Sequence, residues 1–435
     1  MLILETKPNA KKLDYKWVII ALCFLMVFTC LGFCSSNKSL YIGAITDALG
    51  IKRGAFALND SVRFITTAVI NLFFGTLVSR FGTKKLICAG FLCLIASMLI
   101  YSFATSVPVF CIGGALLGIG LSWTTTTMVG CVVTKWSKEN KGTIMGAILA
   151  ANGLGGALAA QIVTPIIYDE STAFGYRTAY RLVAIILAVV AVVIFALFRE
   201  NPKNHDGSKT EVPKKKSRGQ SWVGMDFFAA LKKHFFYSAL ICIFLTGFIL
   251  QGVNGVAGAH MRDVGLDAAY IATMMSLHSV ALTGFKFLTG FIYDKFGLRV
   301  TISTCSAASL VTMVSLALMA PTVTGKIMAV IYAVVSSLAL PLETIMLPIY
   351  AGDLFGEKSF NKIMGIFVSA NTAGYALGSV MMNSIFDVFG SYNPGFIICA
   401  VAMLCVIIAL QFVISAAHKA RKEIEAASVI EAVNA

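Results

Sequence analysis

The chain has 435 residues, 58% of them hydrophobic and 13% charged, and its mean hydropathy is +0.83. That composition lies outside the range of soluble globular domains, so it excludes a soluble enzyme or a nucleic-acid-binding module as the bulk of the protein. The formal net charge of +14 therefore needs a cause other than nucleic acid.

Apolar stretches long enough to cross a bilayer recur along the whole length, at 17–46, 56–78, 86–105, 108–134, 143–168, 180–198, 235–259, 268–292, 300–320, 326–350, 361–386 and 394–417. They predict an all-α integral membrane protein of twelve transmembrane helices, here called spans 1 to 12. The basic N-terminus leads into a segment too long for a secretory signal, so span 1 is expected to be retained. The only long polar stretch between spans is 199–233, which is rich in Lys and Ser and holds Pro202 and Pro213. It predicts two six-helix domains, 1–198 and 234–435, joined by a basic linker.

Charge placement sets the orientation. With both termini in the cytoplasm of a cell membrane, the outer loops hold only Lys52, Arg53, Arg177, Arg181, Arg262 and Lys326, and the predicted helices hold Lys38, Arg63 and Lys286. The remaining Lys and Arg fall in the inner segments, as the positive-inside rule requires. The net charge is topology, and "KKKSRG" at 214–219 reads as a solvated loop near anionic lipid. Cysteines lie within predicted helices as apolar filler, and the scattered histidines make no metal spacing. Neither a cofactor nor a nucleic-acid partner is expected.

The two halves repeat one another. "GTLVSRFGTKK" at 75–85 matches "GFIYDKFGLRV" at 290–300, and "TIMGAILAANGLGGAL" at 143–158 matches "KIMGIFVSANTAGYAL" at 362–377, at nearly the same separation. Two such matches indicate an internally duplicated, pseudo-symmetric bundle. In this register Arg63 corresponds to His278, Asn71 to Lys286, Thr124 to Glu343 and Asn152 to Asn371. Polar groups at matched places on apolar helices are expected to face a common central cavity.

Gly75, Arg80 and Gly82, with Gly290, Asp294, Lys295, Gly297 and Arg299, resemble the two loop signatures of the major facilitator superfamily. The resemblance covers essentially the full chain and implies that fold, with alternating access between two six-helix bundles. It implies that the motif glycines let spans 2 and 11, and spans 5 and 8, approach closely, while the charges hold the inner side shut. The acid of the first copy is replaced by Ser79, which leaves Asp294 as the intact gate acid. Within that superfamily, "GFCSSNKSLYIGAITDALG" at 32–50 is similar to the first helix of monocarboxylate transporters. "KWSKENKGTIMGAILAANGLGG" at 135–156 is similar to a pattern they share with oxalate:formate antiporters. In both relatives a substrate-binding arginine stands where this chain has Lys286. The monocarboxylate carriers also have an Asp one turn earlier, where this chain has Leu282, and the second cavity lysine of the oxalate antiporters is absent from span 11.

Lys286 lies eight residues from Asp294, or roughly 12 Å along a helix, which is close to the middle of a core about 30 Å thick. A cation there costs roughly 2.5–3.5 kcal/mol on insertion scales. Two roles fit it: counter-charge for a substrate carboxylate, or ion-pair partner for Glu343 at similar depth in span 10. Lys38 belongs either to the cavity or, snorkelling, to the outer surface; Arg63 lies nearer the outer mouth, with Asp60 one turn away to neutralise part of its charge. The expected binding set is therefore Lys286, Lys38, Arg63, Asn71, Trp123, Asn152, Asn371 and Tyr375, with Glu343 and His278 as proton-coupling or charge-pair groups. Trp123, Tyr375 and Gln161 are also candidates for simple packing.

These residues point to a monomeric secondary carrier of a small organic carboxylate, by proton symport or anion exchange. The alternatives are a carrier or exporter of another small solute, and a non-transporting sensor. No hydrolase, metalloprotease or P-loop motif supports an enzyme.

Overall fold

A computed structural model describes residues 15–136, 141–169, 171–172, 174–200, 224–344, 346–356, 358 and 360–434. Its helices are α1 (Tyr15–Cys30), α2 (Lys38–Leu49), α3 (Arg53–Phe81), α4 (Thr83–Phe103), α5 (Val107–Thr124), α6 (Thr126–Trp136), α7 (Lys141–Ile167) and α8 (Gly175–Leu197) in the first half. The second half holds α9 (Phe227–Leu231), α10 (His234–Asp263), α11 (Ala268–Ala317), α12 (Val323–Ala339), α13 (Pro341–Thr344), α14 (Met346–Phe355), α15 (Phe360–Phe389) and α16 (Asn393–Asn434). Among the described residues, ten helical segments are long and apolar enough to cross a membrane unaided. The other two spans are α1 with α2, which is broken, and α3, which carries Arg53, Asp60 and Arg63.

Three spans expected as continuous helices are interrupted. Span 1 breaks over 31–37, where Ser36 Oγ bonds the Leu31 carbonyl at 3.1 Å and Asn37 Nδ2 reaches the Gly156 carbonyl at 2.8 Å. These short polar side chains offer the backbone a competitor to the helical ladder. Span 4 breaks at Thr125, whose backbone leaves the helical region at φ −121° and ψ −145°. Span 10 is divided among α12, α13 and α14, and Pro341 opens α13 because it supplies no amide hydrogen to continue α12. Spans 8 and 9 make the single long α11, bent at Gly297.

The duplication is visible in the backbone. Gly82 and Gly297 both take φ of +80°, and Gly50 and Gly265 take +64° and +83°, at matched places in the two halves. Only glycine takes this left-handed region without strain. Close helix contacts repeat too: a Cβ on Gly155 would lie 2.1 Å from the Phe28 carbonyl oxygen, and one on Gly374 would lie 2.3 Å from that of Phe244. Span 1 thus packs on span 5 as span 7 packs on span 11.

The halves meet where α3 packs on α15 and α7 on α11, with α2 against α10. The glycines that permit this are Gly54, against Ser384 and Asp387, and Gly153, against Ser279 and Thr283. The motif glycine Gly290 faces open space and makes no close contact between the halves in this state. Residues 201–223 of the basic linker lie outside the described residues. Its last part, read from sequence as aperiodic, forms α9; the Met225 amide donates to the Phe355 carbonyl at 2.9 Å, and Asp226 caps the short helix.

Candidate functional site: a central cavity closed at one end

One end of the bundle, away from the linker, is sealed by bonds between the halves. Arg53 forks onto both oxygens of Asp263, donates to the Tyr392 hydroxyl at 3.0 Å and lies 3.7 Å over the Phe386 ring. The Asp387 carboxylate accepts from the amides of Arg53 and Gly54 at 2.8 and 2.7 Å, at the N-terminus of α3, where the helix dipole favours an anion. Arg262 reaches Asp47 at 2.9 Å, and Ser61 donates to the Ala376 carbonyl. Toward the linker side, Gly284, Gly290 and Gly365 face open space, and Asp294 is exposed without an ion pair among the described residues. The structure is therefore in the state open toward the linker, with the gate motif disengaged.

Above that opening lies a cavity of about 410 Å³. It is lined from the first half by Ser35, Ser36, Lys38, Asp60, Arg63, Asn71 and Asn152, and from the second by Gln251, Asn254, His278, Lys286, Glu343 and Tyr375. Lys38 reaches it because span 1 breaks there and α2 starts inside the bundle. It is ion-paired to Asp60, so it does not snorkel to the surface. Arg63 Nε lies 3.2 Å from the same carboxylate, its Nη1 donates to Ser35 at 3.0 Å, and its guanidinium sits 4.1 Å over the Phe64 ring.

Lys286 is different. Among the described residues it has no ion pair and no hydrogen bond, although it is mostly buried. The pairing with Glu343 considered from the sequence is not formed in this state. Glu343 is 6% exposed, its Oε1 has no partner, and it shares the cavity wall with Tyr375. Tyr375 packs 5.3 Å from Phe64, so one wall runs from Arg63 through two rings to Glu343. His278 is held by Ser336 at 2.8 Å and Ser337 at 3.2 Å and is stacked on Tyr332. Asn152 accepts from Ser36 at 2.9 Å.

Two expected binding residues lie elsewhere. Trp123 is not on the cavity wall; it packs beside Gly90, with its indole nitrogen buried. Asn371 is wedged against Gly247, where a Cβ would meet its Oδ1 at 2.4 Å, and is not on the cavity wall. Thr124 also misses the wall, its hydroxyl spent on the Gly120 carbonyl at 2.8 Å. Gln161 bonds Ser276 at 3.1 Å across the two halves. Gln251 and Asn254 were not anticipated, yet "LQGVNG" places two amides one turn apart on an apolar helix, which was a readable signal.

Asp294→Asn is expected to slow turnover more than it weakens binding, because Asp294 is remote from the cavity and acts only when the linker side closes. Comparing transport rate with equilibrium affinity checks this; a collapse of affinity at normal turnover per bound substrate would remove the gate role.

The family model for the Major Facilitator Superfamily matches residues 19–342 and 239–433. The chain is 25% identical over 288 residues to an uncharacterized MFS-type transporter, YcxA, of Bacillus subtilis (strain 168), a match covering 65% of this chain and 66% of that one. It is 21% identical over 418 residues to the oxalate:formate antiporter of Oxalobacter formigenes, covering 94% of each. Among solved structures, the nucleoside transporter NupG superposes with a TM-score of 0.73 at 15% identity, over 92% of this chain and 99% of that one. A duplicated set of twelve spans, a cavity between two six-helix halves and a family model matching nearly the whole chain together establish that this multi-pass membrane protein belongs to the Major Facilitator Superfamily.

Proposed function

We propose that the protein is a secondary carrier of a small organic carboxylate, with Lys286 as the counter-charge for the carboxylate. The observation that carries this reading is that Lys286 is the cavity cation without a protein partner among the described residues. Lys38 and Arg63 share Asp60. A mostly buried, unpaired ammonium in a solute-sized cavity calls for an anion from outside the protein. The similarity to an oxalate:formate antiporter over nearly the full length supports the class. The nucleoside cargo named for the structural relative keeps a carrier of another small solute as the second reading. Residues 1–198 and 234–435 are proposed to rock about the cavity as two bundles, in a cell membrane and as a monomer. Thermal-shift measurements on purified protein with a series of carboxylates test the reading, since a ligand that binds the native state raises stability with its concentration; nucleosides are the control. Counterflow in proteoliposomes separates a carrier from a sensor.

Proton coupling is assigned to Glu343, the buried cavity acid with one unpartnered oxygen. Glu343→Gln is expected to abolish the pH dependence of net uptake while exchange of one anion for another continues. Uptake that keeps its pH profile in this variant would exclude Glu343 as the proton site.

The linker side is assigned to the cytoplasm. An impermeant thiol reagent applied to intact cells should label Asp267→Cys and spare Lys233→Cys, in a background whose native cysteines are unreactive. The reverse pattern would invert the orientation.

A further inference from the structure

We infer that Asp60 limits the number of negative charges on the cargo. The inference rests on the reading that Lys286 holds a carboxylate. Among the described residues three cations line the cavity, and the two from the first half are arranged around one acid. Asp60 bonds Lys38 and stands 3.2 Å from Arg63 Nε, with only 17% of its side chain exposed. Arg63 also donates from Nη1 to Ser35 and lies over the Phe64 ring. The carboxylate of Asp60 therefore already sits where a second carboxylate of the cargo would go. Across the cavity, Lys286 has no such internal substitute among the described residues.

The physical consequence is selection by charge number. A monoanion seats on Lys286 and leaves the Lys38–Asp60–Arg63 group intact. A dianion must either displace Asp60 from two cations or place its second charge beside a cluster that Asp60 has reduced from two positive charges to a net one. In a medium of low effective dielectric a unit charge a few Å away is weakly screened, so either arrangement is less favourable than in a cavity without the Asp60 charge. Asp60 is thus a specificity-determining residue, separate from the group that binds the cargo.

Butyrate and succinate, matched in carbon number, test this by equilibrium binding to the full-length protein at neutral pH, where succinate carries two charges and butyrate one. Asp60→Asn should raise the succinate-to-butyrate affinity ratio by about tenfold or more, the scale of one unit charge at this range. Lys38→Gln leaves Asp60 paired with Arg63 and should lower the ratio by a similar factor; it creates no unpaired charge, so it decides the matter if Asp60→Asn does not fold. Asp60→Glu, which keeps the charge, should hold the native ratio. A ratio unchanged in both Asp60→Asn and Lys38→Gln would overturn the inference while leaving Lys286 in place. Native protein that binds neither acid would instead remove the carboxylate reading itself.

Discussion

Lys286→Ala weakens binding of the carboxylate by about two orders of magnitude or more. Removing one partner of a buried charge pair leaves the other alone in a poor solvent, at a cost of about 3–5 kcal/mol, and each 1.4 kcal/mol is about tenfold in affinity. The structure sharpens this expectation, because the two other cavity cations among the described residues, Lys38 and Arg63, already share Asp60. Lys286→Arg should keep part of the affinity, since the charge survives while its geometry becomes a planar fork. Folding should not suffer, since Lys286 holds no bond within the described residues. Calorimetric titration of the purified variants checks both outcomes. Native affinity in the alanine variant would make the lysine incidental to substrate.

Arg53→Ala opens the far end of the cavity. Arg53 is 5% exposed and joins the first half to Asp263 and Tyr392 of the second, so its loss strands a partly buried aspartate and unstacks Phe386. The penalty falls only on the state in which the halves meet at that end. A single bond of this kind is worth up to about 3–5 kcal/mol when buried, and less here because Asp263 is 22% exposed. A shift of roughly tenfold or more toward the opposite state is expected, since about 1.4 kcal/mol suffices for that. Thr67→Cys, on the cavity wall, reports it through labelling by an impermeant reagent from the far side. Arg53→Lys should fall between, because an ammonium cannot reproduce the bidentate fork. Labelling equal to that of the native sequence would mean that the remaining bonds, those of Asp387, Arg262–Asp47 and Ser61–Ala376, hold the end shut without Arg53.

These two residues differ in how visible they were beforehand. Lys286 stood out because a charge inside an apolar run has a known cost, so its position alone demanded a reason. Arg53 was counted as an ordinary loop cation. Its partners Asp263, Phe386 and Tyr392 lie more than two hundred residues away, and nothing in local spacing could link them. Asp60 was legible only as a neighbour of Arg63 one turn along a helix. Its bond to Lys38 exists because span 1 breaks at 31–37, a break that hydropathy averages over.

The sequence by itself determined the spans, the duplication and the identity of the charges that lie within the spans. Each of these follows from a local rule: length against bilayer thickness, a repeated string, or the cost of a charge in hydrocarbon. Tertiary structure alone decided which polar groups meet in the cavity. Trp123 and Asn371 were as plausible as Asn152 on an apolar helix, but helix rotation and the close glycine contacts at Gly90 and Gly247 turned them into packing. Tertiary structure also decided that Lys38 and Arg63 share one acid while Lys286 has none among the described residues, because pairing depends on distances across helices that periodicity does not encode.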